Sequence, residues 1–97
     1  MSNTIKLKGL NSYKRLAGND FGNLVYNEQI KNKINLNDKN VLVFPDTIEG
    51  VAMSFIEGML IAMEGEISRK DFFKHFEIKG NEKLEKKFID VIRIGDK

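Results

Sequence analysis

The 97-residue sequence contains no cysteine, one histidine (His75) and one proline (Pro45). Without cysteine, no disulfide braces the fold, and no thiolate is available as a nucleophile or metal ligand. With a single histidine there is no histidine cluster to hold zinc or iron. Neither GxGxxG nor GxxxxGK[ST] occurs, so the glycine-rich phosphate cradles of nucleotide enzymes are missing. No cofactor is expected. No apolar stretch approaches the roughly 18 residues of a membrane span, and the opening "MSNTIKLKGL" lacks the apolar run of a signal peptide. The expectation is a soluble, cytoplasmic protein with no membrane partner.

What remains is enough for one domain. Hydrophobic residues make up 41% of the chain, sufficient for a small core that removes about 60–65% of the unfolded surface from water. The net charge of +2 is unevenly spread. Residues 1–39 carry seven Lys/Arg against three Asp/Glu, and residues 67–97 carry nine against six. Residues 40–66 carry five acidic groups and no basic one.

Apolar periodicity orders the elements. "TIKLKGL" alternates apolar residues with lysine and reads as a half-buried or edge strand, with lysines that discourage edge pairing. "NSYKRLAG" fits a short strand, a helical turn or a loop. A helix is expected from Asn19 or Asp20, either of which can cap it, to about Ile34. Its apolar spacing is imperfect around Leu24, Val25 and Tyr26, and Gly22 costs it about 1 kcal/mol relative to alanine. "NLNDKN" is a turn. "VLVF", Val41 to Phe44, is apolar and uninterrupted, as in a strand covered on both faces. Pro45 ends its ladder, and Gly50 permits a turn.

"SFIE" reads as a capping box in which Ser54 and Glu57 start a helix. Met53, Met59 and Met63 fall at core positions, with an adaptable exposed surface as the alternative for Met53, and Gly65 is placed to stop the helix. Ser68 and Asp71 repeat the box before Phe72, Phe73 and Phe76. Phe76 to Lys79 suits a brief strand. Asn81 caps a last helix with Leu84, Phe88 and Ile92 on one stripe. This alternation implies an α/β sandwich with a mixed, partly parallel sheet covered by helices.

The stretch "NVLVFPDTIEGVAMSFIEGML" resembles the centre of a STAS-like domain, the fold of anti-sigma-factor antagonists, and more narrowly an uncharacterised prokaryotic STAS-like family. The matching features are the apolar strand Val41–Phe44, Asp46, the Gly50–Val51 connection, "SF" at Ser54–Phe55, and Glu57. "FFKHFEIKGNEKLEKKFIDVI" resembles the closing strand and helix of that family, and "FGNLVYNEQIKNKI" its first long helix. The resemblance implies a single STAS-like domain over residues 1–97 and a serine at the helix start that a kinase-like ATPase phosphorylates. The usual pattern has two small polar residues before a glycine, whereas Phe55 follows Ser54 here.

Asp46, Glu49, Ser54 and Glu57 are therefore the candidate partner-binding or phosphoacceptor residues. Ser54 is otherwise an N-cap worth about 1 kcal/mol. Asp46 otherwise closes the strand by accepting turn amides, although strand carboxyl ends are where ligands bind in doubly wound sheets. Asp46 with Glu49 or Glu57 also offers a carboxylate pair for acid/base work, with no oxyanion donor or metal triad beside it in the sequence. The expected function is non-enzymatic: a regulatory, protein-binding module in a prokaryote or phage. One alternative is a nucleic-acid-associated or host-directed phage protein, drawing on Lys6, Lys8, Lys14 and Arg15 early in the chain and Lys83, Lys86, Lys87 and Arg93 late. Another is a structural homodimer formed by a "VLVF" edge or the Phe72/Phe73/Phe76 face.

Overall fold

Val41 to Val43 of the "VLVF" run lie in β3 (Lys39–Val43), with Phe44 just past its end, and β3 has β1 (Ser2–Lys6) on one side and β5 (Phe76–Lys79) on the other. The computed structural model describes residues 2–94, so the charges of Asp96 and Lys97 lie outside the described residues. Both ladders of this sheet are parallel, with Ile5, Leu42 and Ile78 in one row and Thr4, Val41 and Glu77 in the next. The ambiguous "NSYKRLAG" supplies β2 (Arg15–Leu16), which pairs in parallel with β4 (Gly50–Val51) in a second, two-stranded sheet. Gly50 is thus a strand residue, not a turn. The helices are α1 (Asn19–Val25), α2 (Met53–Met63), α3 (Phe72–His75) and α4 (Glu82–Ile94). The result is a small α/β domain with a parallel sheet covered by helices.

The helices cover one face of the three-stranded sheet. The buried apolar side chains of α1, α2 and α4 join Ile5, Leu42, Phe44, Phe76 and Ile78 in a single core. Val41 is only 8% exposed but stands outside that core, on the opposite face. There it is shielded by neighbouring side chains, with Thr4 and Glu77 exposed on either side of it. Both faces of β3 are shielded, then, but only one by helices.

One buried polar residue sets the register. Asn40 is fully buried, and its Oδ1 accepts from Asn3 Nδ2 at 2.8 Å and from the Asn35 N–H at 2.9 Å. Its Nδ2 donates to the carbonyls of Asn35 at 2.9 Å, His75 at 3.0 Å and Asp38 at 3.2 Å. β1, the turn before β3, and the α3–β5 junction meet on this amide. Satisfied in this way, it avoids the 1–3 kcal/mol cost of an unpaired buried polar group.

The long helix expected after Gly18 is divided. Gly18, at φ 98°, is its N-cap in place of Asn19 or Asp20, and no side chain caps it. After Val25 the chain widens into a π-helical segment, Tyr26–Ile30, closed by the Lys31 N–H donating to the Tyr26 carbonyl at 2.9 Å. The extra residue in that turn accounts for the broken spacing: Leu24 is exposed, whereas Val25, Tyr26 and Ile30 are buried. Gln29, in the π segment, exchanges hydrogen bonds with the main chain of Lys8 at 2.7 and 2.8 Å.

Two glycines read as helix-weakening or unremarkable from sequence turn out to be packing residues. A Cβ on Gly22 would collide with the Phe55 carbonyl of α2, and one on Gly58 with the Asn19 carbonyl of α1. The two helices therefore touch backbone to backbone. Gly65 has no left-handed conformation; the positive-φ glycines among the described residues are Gly9 and Gly18. The closing elements match expectation: β5 covers Phe76–Lys79, and Asn81 Oδ1 accepts from the Leu84 N–H at 2.9 Å to cap α4.

Two measurements probe this packing. Gly58→Ala is expected to lower unfolding free energy by about 1–3 kcal/mol in urea titration, because backbone, not a movable side chain, meets the new methyl. Tyr26 is fully buried and, among the described residues, its hydroxyl has no hydrogen-bond partner. Burial, helped by the Glu66 charge, pushes that hydroxyl up to about 12. Because the folded value is raised above the ordinary 10.0, the neutral-phenol stability is fully present below pH 10 and lost as pH rises towards 12. Tyr26→Phe should remove that alkaline loss and leave stability at neutral pH equal or higher, as read by denaturation at several pH values.

Candidate functional site

The two-stranded sheet positions the starts of two helices. β2 runs directly into α1 and β4 directly into α2. The Leu16 carbonyl accepts from the Ala52 N–H at 2.7 Å, and the Lys14 carbonyl accepts from the Glu49 N–H at 2.6 Å. Parallel pairing thus brings Gly18 and Ser54 together, and the Gly18 N–H donates to Ser54 Oγ at 2.9 Å. The left-handed backbone of Gly18 turns the chain at this junction.

This geometry replaces the expected capping box. α2 starts at Met53, with Ala52 as its N-cap and no side-chain cap. Ser54 is one residue inside the helix, and its hydroxyl serves α1 instead of its own helix. Glu57 is likewise taken elsewhere: Arg69 Nη2 donates to Glu57 Oε1 in a half-buried ion pair. The Ser68 repeat behaves similarly. Ser68 precedes a 3₁₀ turn, Arg69–Asp71, and its hydroxyl reaches the Asp71 carboxylate at 3.3 Å, not a backbone amide. Asp71 sits below the usual carboxylate range through its hydrogen bond and charge contact with Lys74, 3.4 Å away.

The four sequence candidates fall into two groups. Asp46 and Glu49 are exposed and line a groove with Ile48, Asn81, Glu82 and Lys83. Asn81 holds this loop to the start of α4 by donating from Nδ2 to the Ile48 carbonyl and, at 3.4 Å, to the Asp46 carbonyl. Ser54 and Glu57 lie on α2. Helical spacing puts Met53, Ser54, Glu57, Ile61 and Glu64 on its outward stripe, opposite the buried Phe55, Ile56, Met59 and Met63. A shallow groove of about 280 Å³ runs along this stripe, lined by Glu57, Leu60, Ile61, Glu64, Ser68 and Arg69.

Sequence reading missed Ile61 and favoured the core for Met53 over an exposed surface. Met53 was expected in the core and is 54% exposed; Ile61 is 55% exposed. The one-residue shift in helix start turns Met53 outward. Arg69 was also missed, since nothing in the sequence links it to Glu57 twelve positions earlier. The basic residues at the two ends of the chain divide between layers: Lys6 alternates onto the bare sheet face, while Lys83, Lys86, Lys87 and Arg93 are exposed on α4 in the helical layer.

Among the described residues, no group of three His, Asp or Glu side chains is placed to hold a metal ion, and no helix is long and apolar enough to cross a membrane. No family model, curated protein or solved structure matches the chain. Ser54→Ala should strand the Gly18 N–H and cost about 1–2 kcal/mol in denaturant titration. Ser54→Gly should cost no less, because the lost bond belongs to α1 and a glycine cannot replace it. A true N-cap serine would instead lose only a few tenths of a kcal/mol on change to glycine.

Proposed function

We propose that the chain is a non-enzymatic, STAS-like regulatory module that binds a protein partner through the outward stripe of α2. The observation that carries this reading is the placement of two large exposed apolar side chains, Met53 and Ile61, on either side of Ser54 and Glu57. Covering such side chains contributes up to about 1.5–3 kcal/mol each, and methionine adapts to irregular partner surfaces. The Arg69 pair holds Glu57 in a fixed position beside them. Asp46 and Glu49 form a second, acidic contact at the α4 start. Their exposure to water suits ion pairing with lysines or arginines of the partner, whereas a general acid needs a carboxyl shielded from solvent.

Ser54 is the proposed switch. A phosphate on Oγ, transferred by a kinase-like ATPase, adds nearly two negative charges and three acceptor oxygens. It would meet the amide-rich start of α2 favourably and face Glu57 unfavourably. It would also compete for the Gly18 N–H, loosening the α1–α2 junction and disturbing the Met53 end of the stripe.

Photo-crosslinking in the native host provides the test. A crosslinker at position 53 or 61 should give a discrete protein adduct, and one at Thr4 on the bare sheet face should not. Once the adduct identifies the partner, Met53→Asp and Ile61→Asp should each weaken its binding by about tenfold or more, and mass spectrometry of adduct and free chain should find phospho-Ser54 only in the free chain. Binding indifferent to Met53, Glu57 and Ile61 would place the interface elsewhere.

A further inference from the structure

Among the described residues, the three-stranded sheet has two free edges, and they differ. Along β1, the main chain of Lys8 is already occupied by the Gln29 amide. The outward-facing main-chain positions there include Lys6, and a lysine on an edge opposes pairing with a like edge. β5 is different. The Lys79 carbonyl accepts from the Phe44 N–H at 2.8 Å, which fixes Glu77 and Lys79 as the residues whose main chain turns to β3. By the alternation of a parallel ladder, Phe76 and Ile78 turn theirs away from the sheet. They face a groove of about 390 Å³ whose walls include Phe73, Glu85, Ile89 and Arg93. Ile89 is 37% exposed there.

We propose that a second copy of this chain fills this groove, pairing β5 with its own counterpart as antiparallel strands about a two-fold axis through Ile78. The register follows from the backbone. Ile78 turns both its N–H and its C=O outward, so Ile78 against Ile78 forms a hydrogen-bonded pair. The next pair sets Glu77 opposite Lys79 of the second copy, and the two-fold repeats it. This is a non-hydrogen-bonded pair, the kind in which side chains approach most closely. Glu77 and Lys79 are both exposed on the bare sheet face, and within one copy their charges are 3.9 Å apart. The edge is therefore complementary to itself, as an isologous contact requires. The sheet grows from three strands to six, and Ile89 of each copy approaches the axis on the helical side.

Two existing bonds compete with this pairing. The Phe76 N–H donates to the Phe72 carbonyl at the end of α3, and Glu85 Oε2 accepts from the Gly80 N–H at 3.1 Å, each in the position a carbonyl from the second copy would take. Their release is part of the cost, and β5 is only four residues long. The dimer is accordingly weak and concentration-dependent, unlike an obligate one.

Sedimentation velocity over a micromolar-to-millimolar series tests the pairing. The unchanged chain should pass from monomer to dimer mass. Lys79→Glu and Glu77→Lys should each weaken self-association by about tenfold, because each sets like charges opposite one another twice. The double variant Glu77→Lys/Lys79→Glu should recover the original affinity. An equimolar mixture of the two single variants should form a heterodimer tighter than either homodimer. All substituted positions are exposed, and circular dichroism confirms that each variant is folded. A chain monomeric at every concentration, including one whose β5 edge instead takes an extended peptide from another protein, overturns the proposal. So does a dimer indifferent to these charge changes.

Discussion

The amide of Asn40 is the contact on which the sheet depends. Parallel strands have no hairpin turn to set their register, so something else must. Here a buried side chain reads the position of three separate segments: Asn3 on β1, the 35–38 turn, and the His75 carbonyl at the start of β5. A slip of one residue in either outer strand would break a bond to a fully buried amide, and would also turn every core side chain of that strand to the wrong face. The hydrophobic rows and the amide specify one alignment, and the positions of Ile5, Leu42 and Ile78 follow from it.

A second constraint operates at the other end of the molecule. The pairing of β2 with β4 is only two residues long, yet it decides where α1 and α2 begin. Gly22 and Gly58 then allow the helices to close on one another. Ser54 sits at the meeting point, with its hydroxyl holding the first turn of the neighbouring helix. A substitution at Ser54 therefore acts on the relation between two helices, not on the stability of one.

The parts of the fold that were legible in the sequence rest on local patterns. The uninterrupted Val41–Phe44 run, the alternation of Phe76–Lys79, and Asn81 ahead of the Leu84/Phe88/Ile92 stripe each state their structure within a few residues. What was not legible depends on distant partners. The Ser54–Glu57 spacing is that of a capping box, but Gly18 and Arg69 take the two side chains. Gly22 shows a helix penalty in sequence and a helix contact in space. Tyr26 and Ile30 keep a buried stripe only because the helix widens by one residue per turn there. The candidate site was legible in part. Ser54 and Glu57 share one surface with Met53 and Ile61, while Asp46 and Glu49 belong to a groove at the start of α4. The acidic segment 40–66 is continuous in sequence and divided in space.

The all-parallel connectivity also bears on how the chain reaches this state. Ser2 pairs with Lys39, Arg15 with Gly50, and Asn40 with Phe76, so every ladder closes a loop of about 35 residues or more. No two strands are neighbours through a tight turn, and no hairpin is available as an early nucleus. Helices must supply the first local order, with the sheet condensing across long separations afterwards. Such a topology has high contact order for its size and folds more slowly than a helical bundle of the same length. Until β3 is flanked on both sides, its apolar run stands as an unpaired edge in the partly folded chain. The interval before β5 arrives is then the period in which this small protein is most exposed to aggregation.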